Sequence, residues 1–352
     1  MLDIKIITIH AMHNPGSVLQ AFALQSYLTK DNNNVKIIDY RPDYLYTEGK
    51  SFSLFIKKTL FKKYYFSRKE KFDGFISENM KLTKLYNSSE CIERDNLTAD
   101  VFIAGSDQLW NSDFPCGNDS VYYLEFVQSG KKISYSTSVG KSEIGEKNLE
   151  ILKRYLPSFS MISTREKSTA DFLSVVLNRK VEWVCDPVFL LPKKEYMKFI
   201  DKKTVSTQKY AMVYLSPKCK QLDEIVAYYK KLGYTIILLG GMTKRCQCDQ
   251  HIKDAGPKEF LSYIYYADVV ISTSFHATAF SHIFHIPFVT LLPKTNGERI
   301  MNLLNLTGLQ NRAVSDQVNM KSIDTAIDWE QVDKKLSNHI ESSKNYLDRA
   351  LI

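Results

Sequence analysis

Residues 4–38 read IKIITIHAMHNPGSVLQAFALQSYLTKDNNNVKII, and the fold class turns on them. Residues 4–9 are a near-continuous apolar run, the pattern of a strand buried on both faces of a parallel sheet. A loop with Asn14, Pro15 and Gly16 follows. Ser17 is then placed to cap a helix that buries Val18, Leu19, Phe22, Ala23 and Leu28. Residues 35–38 give the next strand. Strand, helix and strand make a βαβ unit, whose crossover is right-handed. The opening run is short and carries charge, so it reads as a strand and not as a secretion signal.

The alternation continues outward. Residues 50–82 are rich in Lys, Phe and Tyr and read as helices. Within them Phe55, Leu60, Phe61, Tyr64 and Tyr65 lie among Lys57, Lys58, Lys62 and Lys63. Such a stretch either packs on the domain or meets a lipid head group or an anionic carrier. Further strands are expected at 101–104, 133–135, 161–163 and 181–184. Asp186-Pro187 and Pro192 with Lys193-Lys194 mark a hinge. The second half restarts with strands at 210–215, 234–239, 269–272 and 288–292, and helices at 222–232, 257–267, 275–284 and 299–306. The tail is amphipathic, with Trp329, Val332, Leu336, Ile340 and Leu347 on one face. This predicts an α/β chain of two Rossmann-like parallel-sheet domains, 1–185 and 186–352, facing a cleft. The C-terminal helix is expected to pack back on the first domain.

Composition narrows the function. The chain has 352 residues, 44% hydrophobic, which can bury sizeable cores. Lys plus Arg number 47 against 39 Asp plus Glu, for a net charge of +8. That excess suits an anionic ligand or an anionic membrane surface, whereas a nucleic-acid groove needs it concentrated, so no nucleic-acid partner is expected. The 21 Tyr and 19 Phe suit ligands with apolar faces such as sugars. Six scattered cysteines give no disulfide framework. Cys246 and Cys248 lie beside Asp249 and His251, but no second ligand pair follows, and no metal is expected. No stretch approaches the ~20 apolar residues of a membrane span. The expected location is the cytoplasm, with peripheral contact at the inner face of the membrane. A P-loop, a Gly-x-Gly-x-x-Gly after the first strand and a Gly-x-Ser-x-Gly are all absent from the sequence, which speaks against dinucleotide binding and a hydrolase triad.

Ligands of open α/β sheets sit outside the carboxyl ends of the strands, so polar residues there carry the chemistry. The strongest signal is Ser272-Thr273-Ser274-Phe275-His276, where a buried strand runs straight into a helix. Free N–H groups and the helix dipole point at that spot, and hydroxyls with His276 complete an anion site for phosphate or carboxylate. The alternative is that Ser274 is only a cap and His276 a satisfied core residue. Lys294 and Arg299 follow on the same side and could neutralise an anion, or could be solvated charges. Arg165 follows the 161–163 strand and could present a bidentate fork across the cleft, unless it is an exposed residue of a helix capped by Glu166. Gly105-Ser106-Asp107-Gln108 ends another strand. Asp107 could accept a proton or hydrogen bond from a sugar hydroxyl, with Gln108, Trp110 and Asn111 shaping the pocket and Trp110 offering a ring face. The alternative is a turn with a capping Asp.

These motifs together resemble the polysaccharide pyruvyl transferase family. His13-Asn14-Pro15-Gly16-Ser17-Val18-Leu19-Gln20-Ala21 resembles that family's opening His-Asn-Tyr-Gly-Ala-Val-Leu-Gln-Ala. Further matches are Ile103-Ala104-Gly105-Ser106-Asp107-Gln108-Leu109-Trp110-Asn111, Ile133-Ser134-Tyr135-Ser136-Thr137-Ser138-Val139-Gly140, Ile162-Ser163-Thr164-Arg165-Glu166, Asp186-Pro187 and Ser274-Phe275-His276-Ala277-Thr278-Ala279-Phe280-Ser281. They run in order from about residue 4 to about residue 312. Pro15 stands where the family has an aromatic residue, and Ala277 where it has Gly.

The resemblance implies a GT-B-like architecture and transfer of a pyruvyl group from phosphoenolpyruvate to a sugar, forming a pyruvate ketal and releasing phosphate. It implies an acceptor repeat unit of capsule or exopolysaccharide on a polyprenyl diphosphate carrier, and no cofactor beyond the donor. It places phosphoenolpyruvate on the second domain, against Ser274 and His276, with Arg165, Lys294 and Arg299 alongside. The acceptor falls to the first domain, with Asn14, Gly16, Ser106, Asp107, Gln108, Trp110 and Asn111. His276 would bind phosphate or assist its departure, and Asp107 would orient or deprotonate the acceptor. A nucleotide-sugar glycosyltransferase of the same architecture is the competing class. It needs a ribose-binding acid, and Asp268 sits before its strand rather than after it. A sugar-binding module without catalysis is the third.

Overall fold

A computed structural model describes residues 1–46, 61–141, 143–205, 209–293 and 297–352. Phe55, Lys57, Lys58, Leu60 and Lys294 of the readings above lie outside the described residues. The chain divides into two compact units: Met1–Ser51, Ile76–Leu191 and Ser337–Ile352 form unit 1, and Phe52–Phe75 and Pro192–Leu336 form unit 2. A single cut at 185/186 is therefore too simple. The 3-10 turn Pro187–Phe189 is buried and packs on helix Pro15–Thr29, which keeps the segment up to Leu191 in unit 1.

Unit 1 holds strands β1 (Asp3–Ile7), β2 (Asn34–Tyr40), β3 (Leu82–Tyr86), β4 (Val101–Ala104) and β5 (Lys131–Ser134). They form one parallel sheet in the order β3-β2-β1-β4-β5. β1 is central because Ile4, Ile6 and Ile7 are wholly buried; Ile4 aligns with Val35 on one side and Val101 on the other. Strand order reverses between β1 and β4, the switch point at which open sheets expose a crevice. β6 (Ile162–Thr164) and β7 (Val181–Trp183) form a parallel pair, tied to the β5 side by single bridges Ile133–Met161 and Thr137–Thr164. Residues 50–82 do not stay helical to their end. Helix Lys62–Asn79 stops, and β3 follows as an edge strand in which Leu85 is 53% exposed and only Tyr86 is buried. That burial pattern lacks the strand period, which is why the sequence conceals it.

The last helix, Trp329–Leu351, delivers its C-terminal half to unit 1. There the Cys185 N–H donates to Ser343 Oγ at 2.8 Å, the Tyr346 hydroxyl donates to the Ser134 carbonyl at 2.8 Å, and Arg349 Nη2 donates to both oxygens of Glu182.

Unit 2 contains β8 (Tyr210–Tyr214), β9 (Thr235–Leu239), β10 (Gln250–Ile252), β11 (Val269–Ser272), β12 (Phe288–Leu291) and β13 (Ala313–Val314). Their parallel order is β10-β9-β8-β11-β12-β13. β8, β11 and β12 are buried at every position, and Val213, Ile271 and Val289 share a core with Ile225 of helix Lys220–Lys231. Each such buried Val or Ile side chain contributes ~1.5–3 kcal/mol. β10 and β13 are short sheet edges that no apolar run announces. Among the described residues no helix is long and apolar enough to cross a membrane.

Candidate active site

In unit 2 the carboxyl end of β11 passes directly into helix Phe275–Phe284. A chain of hydroxyls sets the turn. Ser272 Oγ donates to the Tyr214 carbonyl at 2.7 Å and accepts the Ser274 N–H at 2.9 Å, and Ser274 Oγ accepts the Ala277 N–H at 3.4 Å. His276, in the first turn, is 7% exposed and meets the Phe275 ring edge-on at 5.3 Å. The Arg299 guanidinium lies 6.0 Å over the same Phe275 ring, held there by helix Glu298–Thr307. The structure thus gathers Ser274, His276 and Arg299 around Phe275. A helix start, an imidazole and a guanidinium in one place favour a small polyanion. Asp268 precedes β11, and its carboxylate accepts the Tyr210 N–H at 2.9 Å, so it is spent on the sheet and does not serve as a ribose acid.

In unit 1 the corresponding residues form a closed network. β4 ends at Gly105, whose φ of +130° and close approach leave no room for a side chain: a Cβ would stand 2.1 Å from the Tyr135 carbonyl oxygen. Asp107, with φ of +80°, is 8% exposed; its Oδ2 accepts from Ser17 Oγ at 2.7 Å and its Oδ1 from the Gln108 N–H at 2.9 Å. Ser106 Oγ accepts from Arg165 Nη2 at 2.6 Å, the Ser106 N–H donates to Gln20 Oε1, and the Ser106 carbonyl accepts from Thr8 Oγ1. Arg165 Nη2 also pairs with Asp186 Oδ2 at 3.1 Å, both side chains being essentially unexposed. Ser138 Oγ donates to Glu166 Oε1 at 2.5 Å.

Several expectations change accordingly. Arg165 is not an open fork: it is 3% exposed, and Asp186 neutralises it inside unit 1. Trp110 offers no face to a sugar. It is wholly buried, stacked on Tyr123 at 6.0 Å and edge-on to Phe159, with its indole N–H on the Tyr122 carbonyl. Ser106 is fully enclosed, and Gly16 is buried in the first turn of helix Pro15–Thr29 with its N–H donated to Asn14 Oδ1. Asn14, not Ser17, caps that helix; Ser17 serves Asp107 instead. Asn14 is exposed, Gln108 is half-buried, and Asn111, 1% exposed, borders a cavity of about 320 Å³ with Asp113, Lys141 and Asn148.

Sequence reasoning missed His10. It follows β1, is 1% exposed, and sets Nδ1 against the Thr8 carbonyl at 3.2 Å and Nε2 against Asp39 Oδ1 at 3.0 Å. Burial pushes the Asp39 carboxyl up, but hydrogen bonds from His10 and Arg41 outweigh it and hold the group below its ordinary value. The one signal was a histidine directly after a buried strand; its partner lies 29 residues away.

Residues 14–294 match the sequence model of the family described as polysaccharide pyruvyl transferase. No curated protein matches the chain. Among solved structures it is similar to UDP-GlcNAc 2-epimerase from Methanocaldococcus jannaschii, with TM-score 0.52 and 13% identity over 96% of this chain and 92% of that one. It is also similar to a putative UDP-N-acetylglucosamine 2-epimerase from Listeria monocytogenes, with TM-score 0.54 and 8% identity over 100% and 91%. An alpha-glucosyltransferase in complex with UDP matches with TM-score 0.50 and 10% identity over 100% and 94%. At these identities the likeness shows the fold alone, and that fold is GT-B.

Proposed function

Because the chain belongs to the polysaccharide pyruvyl transferase family, we propose that it transfers the pyruvyl group of phosphoenolpyruvate to a sugar of a polysaccharide repeat unit. The observation that carries this reading is the gathering of Ser274, His276 and Arg299 at one helix start. Phosphoenolpyruvate is a small polyanion, and this is the chemistry that holds one.

In the reaction one sugar hydroxyl adds to C2 of phosphoenolpyruvate while C3 takes up a proton to become a methyl group. A second hydroxyl of the same sugar then forms the other C2–O bond as the C2–O bond to phosphate breaks. Of the two hydroxyl protons, one balances the methyl and the other leaves with phosphate. His276 holds the phosphate and assists its departure, with Arg299 compensating its charge. Lys294, outside the described residues and only loosely placed by the resemblance because its loop varies, is a further donor-side cation in this reading. Asp107, held by Ser17, orients or deprotonates the acceptor. Asn14 and Gln108 border it. The acceptor is carried on a polyprenyl diphosphate at the inner face of the membrane, and the reaction needs no cofactor besides its donor.

The test is incubation with phosphoenolpyruvate and a small panel of lipid-linked sugars, read by mass spectrometry and phosphate release. A pyruvyl mass gain with stoichiometric phosphate supports the reading. A thermal-shift titration gives the counter-outcome: stabilisation by a nucleotide sugar but not by phosphoenolpyruvate would sink it.

A further inference from the structure

Away from the Ser274 and His276 turn, unit 2 holds a second cavity, of about 560 Å³, that the pyruvyl-transfer reading does not use. That volume is in the range of small-molecule pockets. One wall is a single face of helix Lys220–Lys231: Asp223, Val226, Ala227 and Lys230 follow the i, i+3, i+4, i+7 spacing. The other wall is the loop after β9, with Lys244, Arg245 and Cys246, and Lys218 closes the end after β8. Both loops leave the carboxyl ends of adjacent strands, the edge at which open sheets take ligands.

The charge balance gives the ligand class. Lys230 is engaged by Asp249 at 3.0 Å. Lys218, Lys244 and Arg245 are exposed and, among the described residues, form no ion pair. Four cations, Lys218, Lys230, Lys244 and Arg245, therefore stand around one cavity against two carboxylates, Asp223 and the Asp249 that Lys230 pairs with and Lys244 also acts on. Like charges held together repel, and an anion placed among them relieves that cost. Cys246 adds no reactivity, because burial pushes its thiol up to about 11 and keeps it protonated. Ala227, with the edge of the nearly buried Val226, adds a small apolar patch beside the cations.

We propose that this cavity binds a small molecule bearing a diphosphate, the head group facing Lys218, Lys244 and Arg245. Three positive groups around a space larger than one phosphate fit two linked phosphates, and charge-assisted contacts supply the affinity. Two sources share that chemistry, a nucleoside diphosphate and a prenyl diphosphate, and they differ in what lies on the apolar patch. The site is independent of whether the chain transfers pyruvate.

The test is calorimetric titration of the full chain at low ionic strength with inorganic phosphate, pyrophosphate, UDP and farnesyl diphosphate. Pyrophosphate is expected to bind about tenfold or more tightly than phosphate. Lys218→Ala/Lys244→Ala/Arg245→Ala should weaken it by at least about tenfold, with unchanged circular dichroism and melting temperature, since all three residues are exposed. Arg299→Ala should leave it intact. UDP or farnesyl diphosphate binding more tightly than pyrophosphate names the source, and equal binding shows that the diphosphate alone is read. Undiminished binding in the triple variant, loss in Arg299→Ala instead, or phosphate binding as tightly as pyrophosphate would each overturn the proposal.

Discussion

The two units place polar residues at the same position, the carboxyl ends of their central strands, and treat them in opposite ways. In unit 1 the charges are consumed internally: Arg165 by Asp186 and Ser106, Asp107 by Ser17, Glu166 by Ser138, Asp39 by His10 and Arg41. In unit 2 the turn is built from short hydroxyls that satisfy the backbone, while His276 and Arg299 both meet the Phe275 ring. A guanidinium paired with a buried carboxylate has little charge left for a ligand. A guanidinium over a phenyl ring is held by a contact that does not itself neutralise it. The contrast is between an enclosed network of paired side chains in unit 1 and a helix start flanked by an imidazole and a half-buried guanidinium in unit 2.

The sharpest way to break this contrast is His276→Ala. If His276 acts on the phosphate, turnover with phosphoenolpyruvate should fall ~10²–10⁴-fold while circular dichroism stays unchanged. Normal turnover would remove unit 2 from the chemistry. The matching lesion in unit 1 is Arg165→Met, which leaves Asp186 buried without its ion partner. Removing one member of a buried pair typically costs ~3–5 kcal/mol, measurable by urea unfolding. Replacing both, as Arg165→Met/Asp186→Leu, should recover much of that loss. If the single variant were no less stable, Arg165 would not be the internal brace its burial suggests.

A pH titration probes both units at once. His282 in unit 2 and His339 in unit 1 are each pushed down to about 4, in both cases by burial. The unfolded rings take up protons near pH 6.5 and the folded ones only near 4, so between those values the unfolded state binds more protons. Stability should therefore be full above pH 6.5 and decline as pH falls towards 4, by up to about 3 kcal/mol for His282. His282→Gln should flatten that slope. Asp39 acts in a lower window: its depressed carboxyl keeps its contribution until the pH falls below the ordinary carboxylate value. A slope of the opposite sign between pH 6.5 and 4 would contradict the neutral burial of both rings.

What the sequence disclosed follows the range of the forces involved. β4 at 101–104, β11 at 269–272 and helix Phe275–Phe284 were readable to the residue, because unbroken apolar runs meet polar turns there. β3, β10 and β13 were not, because edge strands are half exposed and lose the apolar pattern. The Ser274 and His276 turn was legible because a helix start is made by neighbours in sequence. Arg165 and Trp110 were misjudged because their partners, Asp186 at 21 residues' remove and the Tyr123 and Phe159 rings, are supplied by the fold. The pairing of Ser17 with Asp107 spans 90 residues and has no local trace. In unit 1, then, the residue types could be named but not what each one touches.

The smallest expected effect is also the most discriminating between the units. Arg299→Ala removes a guanidinium that rests on a phenyl ring and is only half buried. Its stability cost should stay well below that of Arg165→Met, because the side chain is half buried rather than enclosed. Its cost to donor binding should be larger, because a charge-assisted contact is worth ~1.5–3 kcal/mol: KM for phosphoenolpyruvate should rise about tenfold or more, with kcat changed less. Arg165→Met should give the reverse, a large loss of stability and little selective change in that KM. If both variants moved stability and KM alike, the two arginines would be doing the same job. The contrast between an enclosed arginine in unit 1 and a half-buried one in unit 2 would then carry no functional meaning.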